Sequence, residues 1–133
     1  MTTAQSCVGR NIMIHELYES AAVIHGHKCP GLAIGVRAAA EAKRILEAPG
    51  ESLSCVAEKN ACFIDGIRSV AGCTEKKGRL SFNITGKVAF TFTNNASGKT
   101  VRLDFVGNKP GLSREEQIEY ILTAPLDEIF AAS

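Results

Sequence analysis

No stretch of this chain approaches the roughly 20 consecutive apolar residues that a membrane-crossing helix requires. The first ten residues show no basic leader followed by an apolar run, so a cytoplasmic location is expected. Charge of one sign is also lacking: 15 basic residues stand against 14 acidic ones, a net charge of +1. That balance leaves no field of the kind that holds nucleic-acid phosphates or an anionic bilayer. A Cys-x-x-Cys pair is absent, and no cysteine follows Cys73. The five cysteines, Cys7, Cys29, Cys55, Cys62 and Cys73, are odd in number and too sparse for the framework of an exported disulfide protein. Reduced thiols or metal ligands remain as their roles. Repeats and low-complexity segments are missing as well. The one linker-like run, Ala48-Pro49-Gly50-Glu51-Ser52, is short enough to be a turn.

What is present describes a single folded domain. Of 133 residues, 45% are hydrophobic and 22% charged, which excludes a disordered chain. Met13, Leu17, Ala21 and Ile24 recur at helical spacing. Leu32, Val36, Ala39, Ala42 and Leu46 form a second stripe over 32–47, rich in alanine and therefore suited to a central, closely approached helix. Leu53 to Glu58 has the residue types of a strand, and Cys62 to Ala71 reads as a short helix ended by Gly72. The period then changes to two. Leu80, Phe82 and Ile84, then Val88, Phe90 and Phe92, then Val101, Leu103 and Phe105 predict a three-stranded meander with turns at Gly86-Lys87 and Asn94 to Gly98. Ser113-Arg114-Glu115-Glu116 is a capping box that opens a helix to about Leu122, and Pro125 starts another turn or two. The expected fold is α+β, with helices packed on one face of an antiparallel β-sheet. Its core spans about 14–105 and a helical tail about 113–131.

Chemistry concentrates in His25-Gly26-His27-Lys28-Cys29-Pro30-Gly31. Two imidazoles and a thiol on one turn are ligands for zinc or another late transition metal. Pro30 fits the first position of the following helix, which leaves Cys29 near the N-cap, where the helix dipole favours thiolate. In Asn60-Ala61-Cys62-Phe63-Ile64-Asp65, Cys62 also sits at a helix start, with Asp65 one turn on. Cys62 reads either as a ligand or as a small buried hydrophobe. Asp65 reads as a solvated helix residue, a partner that orients a ligand, or a general base, and is the one catalytic candidate. Eleven helical residues separate Cys73 from Cys62 by about 16 Å, so Cys73 joins the site only if the chain reverses after Gly72. His15 is excluded by the same arithmetic. Cys55 reads as core, and Cys7 as an idle thiol in a tail.

These segments, with Gly72-Cys73-Thr74, Lys77-Gly78 and Gly86-Lys87-Val88-Ala89-Phe90, resemble the FmdE family of formylmethanofuran dehydrogenase components from about Ile14 to Leu103. The resemblance implies an α+β metal-binding domain, commonly a zinc-binding homodimer, associated with molybdenum or tungsten enzymes. It places His25, His27, Cys29 and Cys62 on the metal-site positions, and Asp65, Cys73 and Arg37 on neighbouring motif positions. The chain departs from the family pattern at Gly66, often alanine; at Arg68, often glutamine; and at Glu75-Lys76-Lys77, in a stretch often rich in glycine. The C-terminal zinc ribbon of some relatives has no counterpart. The implied function is an accessory or metal- and cofactor-handling role, with zinc ahead of nickel or iron. A small metalloenzyme with metal-activated water and a thiol redox protein using Cys29 and Cys62 are the alternatives. Three protein ligands plus water would favour the metalloenzyme, four the handling role.

Overall fold

A computed structural model describes residues 3–48 and 52–133, with side chains in the first helix described from Met13 onward. The expected turn at Ala48 to Ser52 and the side chain of Cys7 thus fall largely outside the described residues. The chain runs α1 (Thr3–His25), α2 (Pro30–Ile45), β1 (Leu53–Ala57), α3 (Phe63–Ala71), β2 (Leu80–Phe82), β3 (Ala89–Asn94), β4 (Thr100–Phe105), α4 (Arg114–Thr123), α5 (Leu126–Ile129) and β5 (Phe130–Ala132). α1 begins about ten residues before the periodic stripe that announced it.

The strands form one sheet in the order β2-β1-β3-β4-β5. Alternation along the strands gives it one covered face. Leu53, Cys55, Phe90, Phe92, Val101 and Leu103 are buried, while Ser54, Val56, Thr91, Thr93, Arg102 and Asp104 lie on the more open side. The α+β class and the covered face follow the expectation, but the meander needs correction. β3 and β4 form the expected hairpin, with Phe90 opposite Leu103 and Phe92 opposite Val101. β2 does not pair with β3. It runs parallel to β1, Cys55 opposite Leu80, and β1 itself fills the place beside β3, with Cys55 opposite Phe92. The sheet is therefore mixed. A central five-residue strand whose inward side chains are all buried offers two hydrogen-bonding edges, and β2 takes the one that β3 leaves. The tail adds a strand that patterning did not show: β5 pairs antiparallel to β4, with Phe130 opposite Phe105.

α2 is the central helix, in contact with α1, α3 and α4, and Leu32, Ala33, Val36, Ala38, Ala39 and Ala42 on it are fully buried. Its approach to α3 is unusually close. A methyl group added at Gly35 would lie 1.9 Å from the Phe63 carbonyl oxygen, and one at Gly66 would lie 2.7 Å from the Val36 nitrogen. Only hydrogen fits at either point. α3 in turn is seated on the sheet by Phe63, whose ring meets Phe90 edge to face with centroids 5.0 Å apart. α4 starts as expected, with Ser113 and Glu116 forming a reciprocal capping box.

Gly35→Ala tests this crossing. Alanine's helix preference gains about 1 kcal/mol at most, against an overlap with backbone that cannot rotate away. The expected result in thermal unfolding is a loss of roughly 10 °C or more in Tm. An unchanged Tm would show that the two helices are not in backbone contact.

Candidate metal centre

The site is assembled from three helix ends. At the end of α1, His25 is the last helical residue, and Gly26, at φ 96°, turns the chain in a conformation unfavourable to residues with a Cβ. Cys29 precedes a proline, which pushes it into extended backbone, here φ −156° and ψ 157°, as an N-cap requires. Its Sγ accepts the Leu32 amide at 3.4 Å. The buried Tyr18 hydroxyl donates to the Cys29 carbonyl at 3.3 Å, tying the turn back to α1. Cys62 stands just before α3. Because α2 and α3 meet at glycine, their N-termini bring Cys29 and Cys62 together over Gly31, whose own missing Cβ would lie 3.1 Å from the Cys62 Cβ.

One nitrogen each from His25 and His27 and the sulfurs of Cys29 and Cys62 all lie within 4.8 Å of one another. His25 Nε2 is 4.0 Å from Cys29 Sγ, and the two imidazole rings lie 4.4 Å apart. A tetrahedral ion with bonds of about 2.0–2.3 Å sets its ligands about 3.3–3.8 Å apart. The cluster closes to that size with movements of about half an ångström per atom. Cys29 is buried, His25 and Cys62 are partly covered, and His27 is exposed, so the cluster opens on the His27 side.

The electrostatics fit a cation. Burial, and then the adjacent Cys29 thiol, raise the Cys62 thiol above its ordinary value. Two thiolates side by side are thus disfavoured until a positive ion lies between them. Asp65 shows the opposite effect. Its hydrogen bond with His25, and then Arg68, hold its carboxyl below the usual carboxylate range. An ionised carboxylate only accepts, so His25 Nδ1 is the donor across the 2.7 Å contact to Asp65 Oδ2. In the neutral ring this leaves Nε2, the nitrogen nearer Cys29, with its lone pair, the arrangement in which histidines bind metals.

Comparison with known proteins places the chain in a family. The family model described as FmdE, molybdenum formylmethanofuran dehydrogenase operon, matches residues 24–131, well over half of the chain. The chain belongs to the FmdE family. A crystal structure of a tungsten formylmethanofuran dehydrogenase FmdE-like protein from Syntrophus aciditrophicus shares the fold, with a TM-score of 0.69 at 21% identity over 90% of this chain and 70% of that one. A curated relative from Archaeoglobus fulgidus, named as a probable S-adenosyl-L-methionine-binding protein, is 34% identical over 86 residues. That match covers 59% of this chain and 24% of the relative, so the FmdE chain aligns with about a quarter of the relative's length.

Two residues that the resemblance put beside the site lie elsewhere in this FmdE fold. Cys73 is at the far end of α3, fully buried, with its Sγ donating to the Leu53 carbonyl at 3.3 Å. The reversal after Gly72 (φ 67°) brings it against the start of β1 and away from Cys62. Arg37 is eight residues beyond Cys29 on α2, about 12 Å along the axis and on another face. It bonds Glu41 at 3.1 and 3.0 Å and the Ile121 carbonyl at 3.0 Å, joining α2 to α4. His15 meets Glu119 of α4 at 2.7 Å, apart from the cluster, as the spacing required. Sequence reasoning missed Tyr18, for which no local signal exists. It also missed the Arg68 contact with Asp65, for which the i,i+3 acid and base spacing was one.

The thiols therefore fall into two classes. Burial pushes Cys73 up to about 11, and raises Cys55, also buried, further still. In a metal-free Cys7→Ser protein, a thiol reagent at pH 8 is expected to titrate Cys62 and then Cys29 in the native state, and Cys55 and Cys73 only after denaturation. Zinc should protect the first two. Reaction of four thiols at one rate in native protein would contradict the placement.

Proposed function

We infer that this protein is a metal-binding FmdE domain that takes one transition-metal ion per chain, zinc first, on His25, His27, Cys29 and Cys62. The observation that carries this is the convergence of four soft or borderline donor atoms, from the turn at 25–29 and from Cys62, within 4.8 Å. Two thiolates and two imidazoles make a donor set that suits tetrahedral zinc, and nickel or iron would meet the same ligands with poorer geometric match. Four protein ligands close the coordination sphere, which supports holding or handing over an ion rather than activating water on it. The exposed His27 is the ligand through which exchange is easiest. An ion held here would supply a positive centre that compensates two adjacent thiolates.

The biological role belongs to the same reading: an accessory or metal- and cofactor-handling part beside a molybdenum or tungsten enzyme. Its support is the family description, which names a formylmethanofuran dehydrogenase operon, and the tungsten enzyme named for the Syntrophus protein. A homodimer and a cytoplasmic setting complete the proposal. Among the described residues no helix is long and apolar enough to cross a membrane, and the exposed Val23 and Ile24 next to His25 offer apolar surface to a second copy. Asp65 is better placed to hold than to relay protons, because both of its oxygens are engaged, one by His25 and one by Arg68.

Elemental analysis of protein purified without added metal tests the assignment. One equivalent per chain is expected, with Cys29→Ser and Cys62→Ser each losing most of it and keeping the fold, since the core lies under α2 and the sheet. Acid should release the ion, because imidazole and thiolate ligands protonate. A full equivalent retained by both variants would exclude these ligands. A metal-free protein that cycles between dithiol and disulfide would favour the redox alternative.

A further inference from the structure

Beyond the four donors, a line of ion pairs leads from the cluster to the surface. Asp65 Oδ2 meets His25 Nδ1 at 2.7 Å, and its other oxygen, Oδ1, accepts from one terminal nitrogen of Arg68 at 3.0 Å. The second terminal nitrogen of Arg68 donates to Glu75 Oε1 at 2.7 Å. Asp65 and Arg68 share a face of α3 at i,i+3 spacing. Glu75 returns to that face because Gly72, at φ 67°, ends the helix in left-handed backbone and sends the chain back along it. Glu75 is held in turn by a tight turn in which its carbonyl accepts the Gly78 amide at 3.0 Å.

This line makes little sense as a stabilising device. The side chains of Asp65, Arg68 and Glu75 are 33%, 37% and 52% exposed, and ion pairs so open to water contribute about 0–1 kcal/mol. The geometry makes more sense as a constraint on one ring. An aspartate has two free side-chain torsions, and an arginine fork whose second nitrogen is anchored removes both. With Asp65 turned away, the His25 ring is free to rotate and present Nδ1 instead of Nε2 to Cys29.

We propose that Arg68, anchored by Glu75, is a positioning residue for the metal centre, fixing Asp65 so that His25 keeps Nε2 turned toward Cys29. The proposal rests on His25 being a ligand, as inferred above. Arg68 touches no donor atom of the cluster, and its effect passes through Asp65 alone. The loop 74–78 thereby becomes part of the site's support through Glu75.

The test compares wild type with Arg68→Ala in three measurements. These are zinc affinity by competition with a chromophoric chelator, the tautomer of His25 by nitrogen-15 NMR of metal-free protein near pH 8, and the Tm of metal-free protein. The expected result is an affinity about tenfold weaker, in the range seen when groups that orient a ligand are removed. His25 should lose its preference for the Nδ1–H tautomer, and Tm should stay within a few degrees, since a half-buried arginine making only water-exposed ion pairs is replaced by a strong helix former. Affinity within about twofold of wild type, or an unchanged tautomer, would overturn the proposal. If wild type itself takes up no zinc, the metal-binding function fails first. If wild type binds and the variant binds equally well, only the role of Arg68 is lost.

Discussion

Where α2 crosses α3, the two backbones touch with no side chain between them, Gly35 against the Phe63 carbonyl and Gly66 against the backbone of Leu32 and Val36. This contact decides how far apart the helix N-termini lie, and both N-termini carry a cysteine. A crossing widened by one methyl on each helix would move Cys62 away from Cys29 by more than a metal site tolerates, since thiolate bonds of about 2.3 Å leave little slack. The same contact explains the burial of α2. A helix approached by three others must be narrow, and its alanine-rich stripe makes it so.

From that crossing the remaining parts follow in order. Phe63 seats α3 on Phe90 and so fixes the crossing relative to the sheet. Pro30 starts α2 and holds Cys29 in extended backbone. Tyr18 and Gly26 set the turn that brings His25 and His27 over the two sulfurs. The anchors are neutral or apolar, and Phe63, Phe90 and Tyr18 among them are buried, whereas the charged residues Asp65, Arg68 and Glu75 stand toward solvent. Rigidity thus comes from packing, and orientation of the one ring that needs it comes from a hydrogen-bonded line. Burial, and then the neighbouring Cys29 thiol, disfavour a thiolate at Cys62 in the absence of a counter-charge. A bound cation removes that cost.

Much of this was legible in the sequence because it is local. The alanine-rich stripe of α2, Gly72 as a helix end, the capping box at Ser113 and the placement of Cys29 before Pro30 all depend on residues within a turn or two of one another, and the structure contains each. The stripe read on α1 holds only in part: Leu17 and Ala21 face the core, but Met13 and Ile24 are exposed, and Ile14, Tyr18 and Ala22 are buried in their place. The hairpin of β3 and β4 was equally plain, since alternation and the turn from Asn94 to Gly98 lie side by side. What was not legible depends on distant pairing. Nothing in Leu80-Ser81-Phe82 says that its partner is Cys55 in parallel register rather than the strand that follows. Phe130 to Ala132 is too short to show a period. The spacing of Cys62 and Cys73 did contain the answer, as 11 residues across a helix separate them, and the reversal after Gly72 carries Cys73 against the start of β1 instead of back to Cys62. The glycines of the crossing were visible as letters. Their meaning required knowing which helices meet.

The central claim is that two sulfurs and two imidazole nitrogens share one ion, and X-ray absorption at the zinc edge of loaded protein reads that directly. The account predicts a first shell of two sulfur scatterers at about 2.3 Å and two nitrogen scatterers at about 2.0 Å, with imidazole multiple scattering. A first shell of nitrogen and oxygen alone would contradict it.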